Sequence, residues 1–379
     1  MDTMISQKHR SLSSYKRIIV KVGSSLLTKD NTGSLNHNWL AALAKDIAYY
    51  KEKGAQIIMV SSGAVAVGRN VLNLSAKKLR LEEKQAAAAA GQIGLFHAWQ
   101  DAMAMYNLRT AQILLTPSDT EERRRHLNAR NTIETLLELG AVPIINENDT
   151  VTTEEIRFGD NDRLAARVAQ MIGGDVLVLL SDIDGLYTAD PKDDQNATFI
   201  KEVTEITSEI ESMAGEAPPG YSSGGMVTKI QAAQIATRGG CAVIIADGTD
   251  KHSLGSIDAG KRCTWFLAKA NPATARKRWI AGVLTPNGKL TIDTGAEKAL
   301  DKGKSLLPAG VKSVSGDFDR GDAVIIENDQ KTRLGCGLIA YSAKDAKLIA
   351  GHKTGEIEAL LGYRGRDEMI HRNDLVIDR

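Results

Sequence analysis

Two lysines stand where a lysine is costly unless it meets an anion. Lys21 follows four strand-like residues, and a cation inside a buried run needs a partner. Lys229 falls about one turn into a helical stretch that starts near Met226, so it opposes the helix dipole unless an anion is bound there. Small residues flank both. Gly23-Ser24-Ser25 follows Lys21, and Ser223-Gly224-Gly225 precedes the helix that carries Lys229. Glycines let a backbone approach a ligand, and exposed N–H groups at a helix start attract phosphate. Cations beside such turns suit phosphoryl transfer, in which positioning and charge neutralisation do most of the work.

Three further polar motifs also end apolar runs: Ser61-Ser62-Gly63-Ala64, Asn146-Glu147-Asn148-Asp149 and Gly159-Asp160-Asn161-Asp162. Each has a bland reading. The serines could form an ordinary turn, and the Asn146 to Asp149 run an ordinary loop. Asp160, Asn161 and Asp162 could cap a helix, but capping needs one such residue, and three leave carboxylates to spare. The functional readings are carboxylate binding at the Ser61 turn, ammonium recognition by Asp149, and organisation of the lysines by acidic residues. The bland readings for the lysines are a solvated strand end at Lys21 and a flexible glycine loop before Lys229.

These motifs need elements to hold them. Arg17 to Val22, Gln56 to Val60, Gln112 to Leu115, Val142 to Ile145, Val176 to Leu180 and Ala242 to Ala246 read as short buried strands. Helical stretches separate them: a helix around Leu40, Leu43 and Ile47, then Glu82 to Tyr106, Arg123 to Leu139, Asn161 to Ile172 and Met226 to Arg238. This alternation predicts an α/β fold, an open, mostly parallel sheet sandwiched by helices, with its ligand edge where the strands end. After Cys263 the pattern changes. Lys289 to Ile292, Ala323 to Ile326 and Leu338 to Tyr341 read as strands among glycine turns, which predicts a small β-rich domain. The expected divisions are a disordered extension over 1–15, a first domain over 16–267 and a second over 276–379.

The chain has 379 residues and a formal net charge of +1, so nothing in its charge calls for nucleic acid or an anionic membrane. From Arg276 onward, 18 basic residues face 15 acidic ones, a balance of only +3. Cys241, Cys263 and Cys336 are odd in number and far apart, which fits a reducing cytoplasm rather than a disulfide framework. The polar start is not a secretory signal, and no apolar run approaches the ~20 residues of a membrane span. Gly335-Cys336-Gly337-Leu338-Ile339-Ala340 spells a dinucleotide fingerprint but has no helix pattern after it, so it reads as chance. Arg123-Arg124-Arg125 reads as the solvated face of a helix, and the histidines form no ligand-spaced cluster.

Taken in order, the five motifs resemble the amino acid kinase family, in the branch that phosphorylates the side-chain carboxylate of L-glutamate with ATP. Further strings carry the likeness: Asn128-Ala129-Arg130-Asn131-Thr132, Gly185-Leu186-Tyr187-Thr188-Ala189-Asp190-Pro191 and Arg276-Lys277-Arg278-Trp279-Ile280. Ser305-Leu306-Leu307-Pro308 and Ile349-Ala350-Gly351-His352 make the tail similar to a PUA domain. The resemblance implies the amino acid kinase fold and the first step of proline biosynthesis. It implies that Lys21 and Lys229 stabilise the transferring phosphoryl group, with Asp162 orienting them. Ser62, Asp149 and Asn161 would hold glutamate. Lys21, Ser181, Asp182, and Ser223, Gly224, Gly225, Met226, Val227, Thr228 and Lys229 would hold ATP. In the loop, Ser222-Ser223 replaces the family's Gly-Thr; Ser223 keeps the hydroxyl. Mg²⁺ would arrive with ATP, with no metal site on the protein. Proline would inhibit, the protein would be a homo-oligomer, and the product would pass to glutamyl phosphate reductase; neither a membrane nor nucleic acid is expected as a partner. The alternatives are an amino acid kinase for aspartate, N-acetylglutamate or a nucleotide, or an RNA-binding PUA protein. Asp149 favours a substrate with a free amino group.

Overall fold

The computed structural model describes residues 11–29, 33–74, 79–151, 161–215, 225–275 and 286–378. By internal contacts the chain divides into two units, Met1–Pro272 and Ala273–Arg379. In the first, β1 (Arg17–Val22), β2 (Gln56–Ser61), β3 (Thr110–Leu115), β4 (Val142–Glu147), β5 (Val176–Ser181), β6 (Glu202–Val203), β7 (Ala242–Asp247) and β8 (Cys263–Phe266) form one sheet. Its order is β6-β8-β7-β5-β1-β2-β4-β3, and neighbours run parallel except β7 with β8. The antiparallel return at β8 was not legible in the sequence.

Between the strands lie α1 (His37–Glu52), α2 (Ala64–Val71), α3 (Leu81–Ala104), α4 (Arg123–Glu138), α5 (Asn161–Ile172), α6 (Met226–Arg238) and α7 (Ser253–Asp258). Side chains alternate across the strands, so each buried strand feeds two cores. Val20, Met59 and Val178 pack with Leu40 of α1, Trp99 of α3 and Ile257 of α7. Ile19, Val60 and Leu179 pack with Ile133 of α4, Val168 of α5 and Ile230 of α6 on the other face. The expected α/β sandwich is therefore present. By alternation Lys21 falls on the face of Ile19, under α5 and α6, and not on the solvated strand end of the bland reading.

Helices α2 and α3 cross with backbones in contact at Gly68 and Gly91. A Cβ at Gly68 would collide with the carbonyl of Ala87, and one at Gly91 with the carbonyl of Ala64. Only glycine permits this approach, and it fixes α3 against the helix that follows Ser61-Ser62-Gly63.

The expected disordered extension over 1–15 needs correction at its end. Residues 1–10 lie outside the described residues, but Leu12–Ser14 form a 3-10 turn. Leu12 is fully buried, and its N–H donates to Asp258 Oδ1 at 2.6 Å. An apolar side chain that reaches the core orders the backbone around it.

In the second unit, β9 (Gly288–Ile292), β10 (Val311–Gly316), β11 (Ala323–Glu327), β12 (Arg333–Leu338) and β13 (Leu375–Ile377) are ordered β10-β9-β11-β12-β13. Only β9 and β11 run parallel. Leu290, Ile326, Ile339, Tyr341 and Ile370 are among its buried core. The strand expected over Leu338 to Tyr341 instead ends at Leu338. A helix does follow, over Ala343–Ile349, but Gly335 and Gly337 lie inside β12, paired on both sides, where no phosphate turn exists.

Candidate active site

The strand register brings the polar motifs to one edge. Val22, the last residue of β1, pairs with Ser61 and Leu180, and Ser181 pairs with Asp247. Val60 pairs with Ile145, so Ser61 and Asn146 emerge side by side. Helices α5 and α6 then present their first turns, Asn161-Asp162 and Met226 to Lys229, to the same edge.

Asp162 is the hub. It is 1% exposed, and Lys21 Nζ lies 2.6 Å from Oδ1 while Lys229 Nζ lies 3.2 Å from Oδ2. Thr228 Oγ1 donates to Oδ2 at 2.9 Å. Burial alone would raise the carboxyl pKa, but the two ammonium groups and the Thr228 hydroxyl hold it down at about 2. Both lysines are buried as well. A buried carboxylate that fixes two cations is more than a helix cap, so the capping reading of Asp162 fails on geometry.

The other end of the site is less satisfied. Asp149 stands in the 3-10 turn Asp149–Val151 that follows β4. It is buried, and burial pushes its pKa up to about 6. Asn161 donates from Nδ2 to Ser61 O at 3.0 Å, to Ser62 Oγ at 2.9 Å and to Asn146 Oδ1 at 3.0 Å. Its Oδ1 is buried and has no hydrogen-bond partner among the described residues. Ser181 Oγ is in the same condition at the end of β5. Buried polar atoms are nearly always hydrogen-bonded, so these two remain free to bond a ligand or water.

Of the remaining expected residues, Asp182 is exposed beside Ser181, and Gly225 is the uncapped start of α6. Met226, Val227 and Thr228 form the first turn of α6, half-buried. Gly159, Asp160, Ser222, Ser223 and Gly224 lie outside the described residues. Two contributors escaped the sequence reading. Gln92 Oε1 accepts from Asn146 Nδ2 at 2.6 Å, and Trp99 Nε1 donates to Ser61 Oγ at 2.9 Å. Gln92 sits in an alanine-rich helix with nothing local to single it out. Among the described residues no group of three or more His, Cys, Asp or Glu side chains is arranged to hold a metal ion, and no helix is long and apolar enough to cross a membrane.

A mostly parallel sheet with a lysine-carboxylate-lysine cluster at its strand ends suits phosphoryl transfer through charge. Residues 16–247 match the model of the amino acid kinase family, and residues 288–361 match that of the PUA domain. The chain belongs to the amino acid kinase family. Among its relatives is the glutamate 5-kinase of Paramagnetospirillum magneticum, 60% identical over 97% of this chain and 99% of the relative. The glutamate 5-kinases of Sinorhizobium fredii and Gluconobacter oxydans are 57% and 55% identical, each over 97% of this chain and over 93% and 97% of the relatives.

Proposed function

We propose that this chain transfers the γ-phosphoryl group of MgATP to the side-chain carboxylate of L-glutamate. The observation that carries the reading is the buried Lys21–Asp162–Lys229 cluster, one residue along α5 from an Asn161 whose amide oxygen lacks a donor. The full-length likeness to glutamate 5-kinases supports it. Mg²⁺ is part of the nucleotide substrate.

A glutamate carboxyl has an ordinary pKa near 4.3 and is ionised at pH 7, so the reaction needs no general base. One carboxylate oxygen attacks the γ-phosphorus, the bond from phosphorus to the bridging oxygen of ADP breaks, and no proton moves. The barrier is repulsion between an anion and a polyanion. Lys21 and Lys229, held together by Asp162, lower it, and the open N-terminus of α6 adds backbone N–H groups. Asp149 and the Asn161 amide oxygen take the substrate ammonium; Ser62 serves the same substrate. Ser181 and Asp182, with the segment from Ser223 to Lys229, serve the nucleotide.

Hydroxylamine added to enzyme, MgATP and glutamate traps the acyl phosphate as a hydroxamate. Glutamate is expected to outperform aspartate and N-acetylglutamate; a marked preference for either of these overturns the reading. Proline in the same assay is expected to inhibit, as this position at the start of proline biosynthesis implies. The acyl phosphate is labile and suits direct handoff to a reductase. Exposed Ile93 on α3 and Met105 just beyond its end support a homo-oligomer, and three free buried cysteines support a reducing, cytoplasmic setting. The domain limits proposed are 16–267 for the kinase and 276–379 for the PUA-like domain.

A further inference from the structure

Asn161 can serve an ammonium group only if its amide is turned one way round. An asparagine carboxamide has a donor end and an acceptor end of nearly equal shape, so its orientation is set by its neighbours. Three acceptors, Ser61 O, Ser62 Oγ and Asn146 Oδ1, surround Nδ2, which leaves Oδ1 buried and without a donor among the described residues. Asn146 faces the same choice. Its Oδ1 also accepts from the backbone N–H of Glu147 at 2.9 Å, and its Nδ2 donates to Gln92 Oε1. A turned Asn146 would aim its NH₂ at the NH₂ of Asn161 and at the Glu147 N–H, three donors without an acceptor.

Gln92 has a fixed place from which to impose that choice. It follows Gly91, the residue at which α3 is seated on α2. Seven residues on, and so on the same helix face, Trp99 holds Ser61 at the end of β2. Helix α3 thus supports the ends of β2 and β4 with two polar side chains. We infer that Gln92 is a positioning residue for substrate recognition: through Asn146 it fixes the Asn161 amide with its oxygen toward the substrate ammonium. Among the described residues Gln92 hydrogen-bonds Asn146 and none of Lys21, Asp162 and Lys229, so its action falls on glutamate affinity. The inference rests on glutamate as substrate.

The test uses the full chain with Gln92→Met, which keeps the length of the side chain and removes the acceptor. Wild type must first form the hydroxamate from glutamate; if it does not, the proposed function fails and not this inference. With wild type active, Gln92→Met is expected to raise the glutamate KM about ten-fold, with kcat and the ATP KM within two-fold. Gln92→Glu keeps an acceptor for Asn146 and is expected to restore KM to within about three-fold of wild type. The specific readout is glutarate, which has both carboxylates and no ammonium. Its inhibition constant against glutamate is expected to stay within two-fold in Gln92→Met. In an Asn146→Ala background, Gln92→Met is expected to add nothing. An unchanged glutamate KM, equal losses for glutamate and glutarate, or additive effects with Asn146→Ala would each overturn the relay. Should Gln92→Met not fold, Gln92→Ala, well suited to a helix, repeats the measurement with the same expectations.

Discussion

The two ends of the site are built on opposite electrostatic plans. At the end proposed for the phosphoryl group, a carboxylate with almost no exposure binds two ammonium groups and a hydroxyl, and its pKa is held at about 2. At the end proposed for glutamate, a buried carboxylate is pushed up to about 6, and a buried amide oxygen lacks a donor among the described residues. The first end is charged and organised before any ligand arrives, as electrostatic preorganisation requires. The second keeps unmet demand that an ammonium group would satisfy. A site of this kind gives up stability in the ligand-free state for recognition, so its two halves should answer mutation in opposite ways.

The largest effect should come from the paired end. Asp162→Ala leaves two lysines buried without their common carboxylate. We expect turnover to fall by ~10²-fold or more, with a stability loss of about 3–5 kcal/mol. Lys21→Ala and Lys229→Ala should each lower kcat by ~10²-fold as well. Steady-state kinetics with glutamate and ATP varied separately, together with urea unfolding, measure both. A kcat within a few-fold of wild type in any of the three would break the contrast at its strongest point.

The unmet end should behave in the reverse sense. Asp149→Asn should raise the glutamate KM more than ten-fold yet stabilise the ligand-free protein by about 1–3 kcal/mol above pH 6. The sign follows from the shift. A carboxyl whose folded pKa is raised from 3.8 to about 6 contributes stability at low pH and loses it as pH rises through 6. The advantage of asparagine should therefore shrink as pH falls from 6 toward 4. Thermal melts across that range decide it; a variant less stable than wild type at pH 8 contradicts the assignment of Asp149 as a charge that burial disfavours.

The same shift predicts a smaller effect on wild type. Glutamate KM should rise about ten-fold between pH 7 and pH 5 as Asp149 takes up a proton and its attraction for ammonium is lost. Asp162, held at about 2, stays ionised throughout, so kcat should not follow that titration. In Asp149→Asn the KM slope should flatten. If kcat carries the pH dependence instead, the two carboxylates have been assigned to the wrong ends.

The smallest effect concerns the second unit. Both ends of the site draw on residues no later than Lys229, so a chain ended at Ala270 should fold and keep kcat within about three-fold, with any change falling on proline response or assembly. Loss of all catalysis in a monodisperse truncated protein would show that the second unit completes the site.

The α/β class was legible because short apolar runs such as Ile18 to Val20 and Val176 to Leu180 alternate with helical periodicity, and short-range pattern fixes element type. Lys21 and Lys229 could be singled out because a lysine is costly where the local pattern puts each, and Asp162 because three capping residues stand where one suffices. Sequence could not say that these three meet, since Lys21 and Asp162 are 162 − 21 = 141 positions apart and only the parallel register of β1 and β5 with α5 joins them. Nor could it reveal Gln92, an ordinary polar residue on an alanine-rich helix. Its role exists only because Gly68 and Gly91 let α2 and α3 touch, which carries its amide to Asn146. The sequence alone determined which side chains had reason to seek a partner. Tertiary structure decided which partners they found, because hydrogen bonds and ion pairs depend on distance in space, and strand register and helix crossing set that distance.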